Sequence, residues 1–157
     1  MLLYRILSLI VNFFCAFLTF ITITGITLAL ANPALLLQCF LCIGTILYAW
    51  FANRFYHTVL VAKKTMTKKQ KDWLMVNAIV ALIFSLLGIG NSVYILVRPQ
   101  VLTDLLSQMP EKVNVSQSAL TNVSVFLLAV CFILLIHVVA TLLLAKKNKE
   151  YFETAAS

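Results

Sequence analysis

Cys39-Phe40-Leu41-Cys42 is the first segment whose residue types and spacing could support chemistry. Two thiols spaced C-x-x-C can cycle between a dithiol and a disulfide when one of them is accessible and ionises readily. The other cysteines, Cys15 and Cys131, fall in the middle of long apolar stretches, where a thiolate is disfavoured. His137 is the second candidate. It is the only His, Lys, Arg, Asp or Glu inside an apolar span, and ionisable residues at such depth mark proton or substrate paths when they are paired. No carboxylate shares a span with it. The expected state is therefore a neutral histidine held by one or two hydrogen bonds, with a proton-sensitive or permeation role as the alternative.

Other catalytic arrangements are poorly supplied. His57 and His137 belong to different depths, and no acidic residue accompanies them in the spans, so no metal site is expected. A Ser85–His137 dyad has no obvious orienting partner. The chain has no Gly-rich phosphate loop, no G-x-S-x-G and no paired carboxylates, so no cofactor is expected. Asn114-Val115-Ser116 and Asn122-Val123-Ser124 match the glycosylation acceptor pattern.

The elements that must position these residues follow from composition. Of 157 residues 62% are hydrophobic and 11% charged, with a mean hydropathy of +1.02, well outside the soluble range. Crossing about 30 Å of hydrocarbon takes about 20 mostly apolar residues. Four segments without Asp, Glu, Lys or Arg qualify: 6–30, 34–52, 74–97 and 123–145. The expectation is one all-α integral membrane domain, an antiparallel up-down-up-down four-helix transmembrane bundle. Ala29-Leu30-Ala31 resembles a signal-peptidase site. The apolar stretch before it is about twice a signal-peptide core of 7 to 15 residues, so it reads as a retained span.

The connections carry distinct signals. Ala31-Asn32-Pro33 forces a tight hairpin, with Pro33 suited to the first turn of the second helix. Segment 53–73 is a basic hairpin bearing Lys63, Lys64, Lys68, Lys69 and Lys71. Tyr56 to Val61 can extend the second helix, and Thr67 with Gln70 fits a capping box that starts the third helix near Lys68. In segment 98–122, Val101, Leu102, Leu105, Leu106 and Met109 recur at helical spacing and predict a short outer amphipathic helix.

Ten of the twelve Lys and Arg residues fall on the side of the termini and the 53–73 hairpin; only Arg98 and Lys112 fall opposite. The positive-inside bias puts both termini in the cytoplasm of a cell (plasma or bacterial inner) membrane. The net charge of +7 lies at span edges, which suits the lipid bilayer and anionic lipid headgroups rather than nucleic acid.

In lipid, small and polar residues mediate helix contact. Ser8, Asn12, Cys15, Thr19 and Thr22 form such a seam in the first span. Gln38, Cys42, Thr45, Ala49 and Ala52 form it in the second; Asn77, Ala81, Ser85, Gly88 and Ser92 in the third. Asn12, Thr19, Gln38, Asn77, Asn91 and His137 are the candidate interhelical or pore-lining polar residues.

A C-x-x-C near the outer end of a second span, in a four-span chain, resembles the quinone-linked disulfide-generating enzymes of the DsbB family. That resemblance implies a membrane thiol-disulfide oxidoreductase using Cys39 and Cys42. It covers about ten residues plus the span count. The family's second cysteine pair, in the outer loop, has no counterpart between Arg98 and Leu120, and 43–51 lacks the basic residue expected after the first pair. The leading expectation is instead a non-enzymatic subunit that self-associates or joins another membrane protein, with a homo-oligomeric pore as one form of such an assembly.

Overall fold

The computed structural model describes residues 2–30, 33–98, 100 and 116–152. It contains four helices long and apolar enough to cross a membrane. The first, α1 (Leu2–Ala29), starts four residues before the expected span, because nothing in Leu2 to Arg5 breaks a helix. That extra turn brings Tyr4 into the bundle.

The second helix, α2 (Pro33–Phe55), continues as a wider π-helical stretch over Tyr56–Val61. There the Ala62 N–H reaches back five residues to the His57 carbonyl at 3.1 Å. Lys63 ends the stretch in the left-handed region, with φ of 54°. The third helix, α3 (Lys68–Val97), begins where the cap predicts: the Gln70 N–H donates to Thr67 Oγ1 at 3.4 Å. The fourth, α4 (Gln117–Lys147), is capped by Ser116, which accepts from the Ala119 N–H at 3.3 Å. Lys146 and Lys147 in its last turn suit the negative end of the helix dipole.

Neighbours in sequence pack against each other, and α1 also meets α4, though less extensively than any sequential pair. Cross-helix contacts fix the antiparallel sense. Tyr4 stacks on Tyr56 at 5.8 Å, Phe51 on Trp73 at 6.3 Å, and Tyr4 bonds to Thr141. The outer faces are apolar: Leu3, Leu9, Phe13, Phe20 and Trp50 are all exposed. The polar residues Thr45, Asn77, Ser85, His137 and Thr141 are buried, the arrangement expected of helices solvated by lipid.

A short tail closes the basic end. After a 3₁₀ turn at Lys149–Tyr151, the Tyr151 carbonyl accepts from the Met66 N–H at 2.8 Å. The Phe152 ring stacks on Phe55 at 6.0 Å, and Met66 is fully buried beneath them. The expected outer amphipathic helix from Val101 to Met109, together with Lys112 and Asn114, lies outside the described residues.

Candidate functional site

Two buried polar side chains, Ser8 and Thr141, and two buried tyrosines, Tyr4 and Tyr48, gather around His137. One turn separates it from Thr141 on α4, and one turn separates Tyr4 from Ser8 on α1, so each pair shares a helix face. Tyr48 of α2 completes the group. Ser8 Oγ lies 2.8 Å from His137 Nε2, and the Tyr48 hydroxyl lies 2.7 Å from His137 Nδ1. Both the Tyr4 and Tyr48 hydroxyls lie 2.9 Å from Thr141 Oγ1. Thr141 Oγ1 donates to the His137 carbonyl at 2.8 Å. The Tyr4 ring stacks on the imidazole at 4.9 Å, and Tyr48 meets it edge-on at 5.7 Å. His137 is 1% exposed and Tyr48 and Thr141 are 0% exposed, so the centre of this network is buried.

Counting protons orients every bond. A carbonyl only accepts, so Thr141 gives its single proton to the His137 carbonyl and accepts from both phenols. Tyr48 has then used its proton, and its oxygen accepts from Nδ1–H. That leaves Nε2 as the acceptor of the Ser8 hydroxyl. Five protons serve five hydrogen bonds when His137 is neutral. The tautomer follows from the network rather than from located hydrogens. The site is a three-helix polar clasp joining α1, α2 and α4 near the basic end.

Ser85 does not join it, because its hydroxyl donates to the Leu82 carbonyl at 2.8 Å. The serine beside His137 is Ser8. Asn77 is buried on α3 and satisfied within its own helix, with Nδ2 donating to the Trp73 carbonyl at 2.8 Å. Thr19 is half-buried and donates to the Cys15 carbonyl at 2.8 Å.

Asn12 departs from its seam. The buried arc of α1 runs through Tyr4, Val11, Leu18 and Thr22, and helical geometry puts Asn12 about 80° round from Tyr4 and Thr22. It is exposed, in a groove of ≈ 230 Å³ shared with Arg5, Ser8, Asn53, Tyr56 and His57.

At the opposite end the four helices leave space between them. A cleft of ≈ 330 Å³ lies among all four, reached by Gln38 of α2 and by Asn91 and Ser92 of α3. Gln38 faces the bundle axis yet is exposed, because the helices no longer close over it. Cys42, Cys131 and Gly88 line the same cleft. Gly88 permits a close approach of α3 and α4: a Cβ there would stand 2.5 Å from Cys131 Sγ.

All four cysteines are free. Cys39 is half-buried and Cys42 buried, one turn apart within α2. Side chains so spaced hold their Cβ atoms about 5–6 Å apart, against about 3.8 Å in a disulfide. Closing the pair would draw these Cβ atoms together and distort that turn. Among the described residues no three His, Cys, Asp or Glu gather in metal-binding geometry.

The lysines divide into two sets. Lys63 Nζ stands 5.5 Å from the centre of the Tyr151 ring, and Lys71 Nζ 5.2 Å from that of Phe152. Lys64, Lys68 and Lys69 extend outward and are exposed. Sequence reasoning missed Tyr4, Tyr48 and the Tyr151–Phe152 tail. The usable signal was a pair of i, i+4 polar couples, Tyr4/Ser8 and His137/Thr141, close to the charged ends of two antiparallel spans. No protein-family model, curated protein or solved structure matches this chain.

Proposed function

We propose that this chain is a non-enzymatic, multi-pass membrane subunit that acts by assembling with a second copy of itself through the outward face of α1 and α2. The observation that carries this reading is Asn12. Interior polar groups of the described residues find partners within the chain, whereas the Asn12 carboxamide is exposed on an apolar helix long enough to cross a membrane. An amide in lipid favours any helix that can satisfy it. Because it both donates and accepts, Asn12 can pair with its own copy across a two-fold axis. Asn53 extends the polar strip toward the basic end of the same groove.

In this reading the basic end faces the cytoplasm of a plasma or bacterial inner membrane, and Lys64, Lys68 and Lys69 meet anionic headgroups. The His137 clasp occupies the interior near that end, which favours any pore lying between protomers rather than within one.

Energy transfer between dilute, dye-labelled copies in bilayers tests the proposal. Asn12→Leu should weaken self-association by about 3- to 30-fold, the equivalent of about 0.6–2 kcal/mol for an interhelical hydrogen bond. A wild-type protein that stays monomeric at every density, or an Asn12→Leu variant that associates as tightly, refutes it.

A further inference from the structure

The cleft at the end opposite the lysines is a built space with a polarity gradient. Its polar groups, Gln38, Asn91, Ser92 and Ser124, all sit toward the open end. Its deep wall is made of Phe14, Phe84, Cys42 and Cys131. Ser124 and Cys131 are seven residues apart on α4, so the gradient runs over about 10 Å. Phe17, Leu87 and Leu127, which also line it, are partly exposed at the apolar surface of the bundle. The ≈ 330 Å³ enclosed falls at the lower end of small-molecule sites, which run about 300–1,000 Å³.

We propose that this cleft binds one uncharged amphiphile, with an alcohol, ester or carbonyl head among Gln38, Asn91 and Ser92 and an apolar body against the phenylalanines and thiols. Two carboxamides offer both donors and acceptors to such a head. Among the described residues no Lys, Arg, Asp or Glu lines the space, and on that lining an ionised carboxylate or phosphate would be buried without a counter-charge. The α1–α4 contact is the least extensive between neighbouring helices, and its hydrogen bonds, Tyr4 to Thr141 and Ser8 to His137, lie near the basic end. The clasp therefore ties α1 to α4 at the basic end, while the cleft occupies the other end of the described bundle. Occupancy of the cleft does not depend on self-assembly, since its lining is separate from the Asn12 face.

The test uses the full chain in phosphatidylcholine nanodiscs with a diazirine-bearing mono-oleoylglycerol, and peptide mapping of the photolabel. Labelling should saturate and concentrate on cleft residues such as Phe84, Leu87 and Cys131. Mono-oleoylglycerol should compete at least about tenfold better than oleate at alkaline pH, because the anion alone loses its solvation uncompensated. Leu127→Trp, at a half-exposed position, should fill the cleft and cut saturable labelling about tenfold while elution is unchanged. If that variant elutes abnormally, Asn91→Leu at an exposed position gives the same comparison. Non-saturating label spread over lipid-facing residues such as Phe13 and Phe132 overturns the proposal, as does equal competition by oleate. Unchanged labelling in the well-folded variant overturns it too.

Discussion

Thr141→Val keeps the side chain's shape and removes the hydroxyl on which the clasp turns. Three bonds go with it: two accepted from Tyr4 and Tyr48, and one given to the His137 carbonyl. Four protons then remain on Tyr4, Tyr48, Ser8 and His137, but only the two contacts to the imidazole nitrogens survive. Two protons are orphaned whichever tautomer His137 adopts. Each buried, unsatisfied group costs about 1–3 kcal/mol, so the variant should lose about 2–6 kcal/mol, toward the lower value if the unfolded helices find partners in lipid.

Tyr4→Phe removes a donor and leaves only a spare lone pair on Thr141, at a cost of about 0.5–1.5 kcal/mol. The decisive feature is a change of sign. In the Thr141→Val background, Tyr4→Phe takes away one of the orphaned protons and should stabilise. Reversible unfolding in mixed micelles, run as a double-mutant cycle, reads both effects. If Tyr4→Phe destabilises equally in the two backgrounds, the proton assignment of the clasp is wrong.

Two further substitutions probe packing. Gly44→Ala should destabilise by about 1–3 kcal/mol, because a Cβ there would lie 2.5 Å from Val80 Cγ1 on a stiff β-branched side chain. Gly88→Ala should cost less, since the Cys131 thiol it meets at 2.5 Å can rotate away; equal thermal shifts for the two would contradict the contacts described. Phe152→Ala should release the tail from Phe55 and unlock the basic hairpin, seen as faster hydrogen exchange at the Met66 amide while the spans stay protected. Unchanged exchange at Met66 would mean the tail does not hold the hairpin.

Much of this architecture is readable because it depends on local quantities. Length, hydropathy and the absence of formal charge mark the four spans, and the Thr67 cap marks where α3 begins to within a residue. Burial of Ser8, Thr45, Ser85 and Thr141 follows from the preference of polar side chains for helix contacts in lipid. What was not readable depends on how helices sit against one another. Tyr4 and Tyr48 look like interfacial aromatics until the register of α1 and α2 against α4 puts their hydroxyls on Thr141.

Asn12 fits the seven-residue seam, but the centre of the buried arc is set by which neighbours α1 meets, and that shift carries it outside. Gln38 illustrates the other difficulty. Its face points inward, yet the space between the helices leaves it open to the cleft. The tail contact joins Met66 to residues more than eighty positions away and has no periodic signature.

A closed polar clasp occupies the interior near the basic end, which leaves the outward face and the cleft as the proposed sites of action. Nitrogen-15 NMR of His137 in bilayers, with transfer of magnetisation from water, tests it most directly. A closed clasp gives a single neutral ring with Nδ1 protonated, Nε2 accepting, and no transfer from water to the imidazole. A water-contacted ring, or one with Nε2 protonated, would contradict it and place a hydrated path inside the protomer.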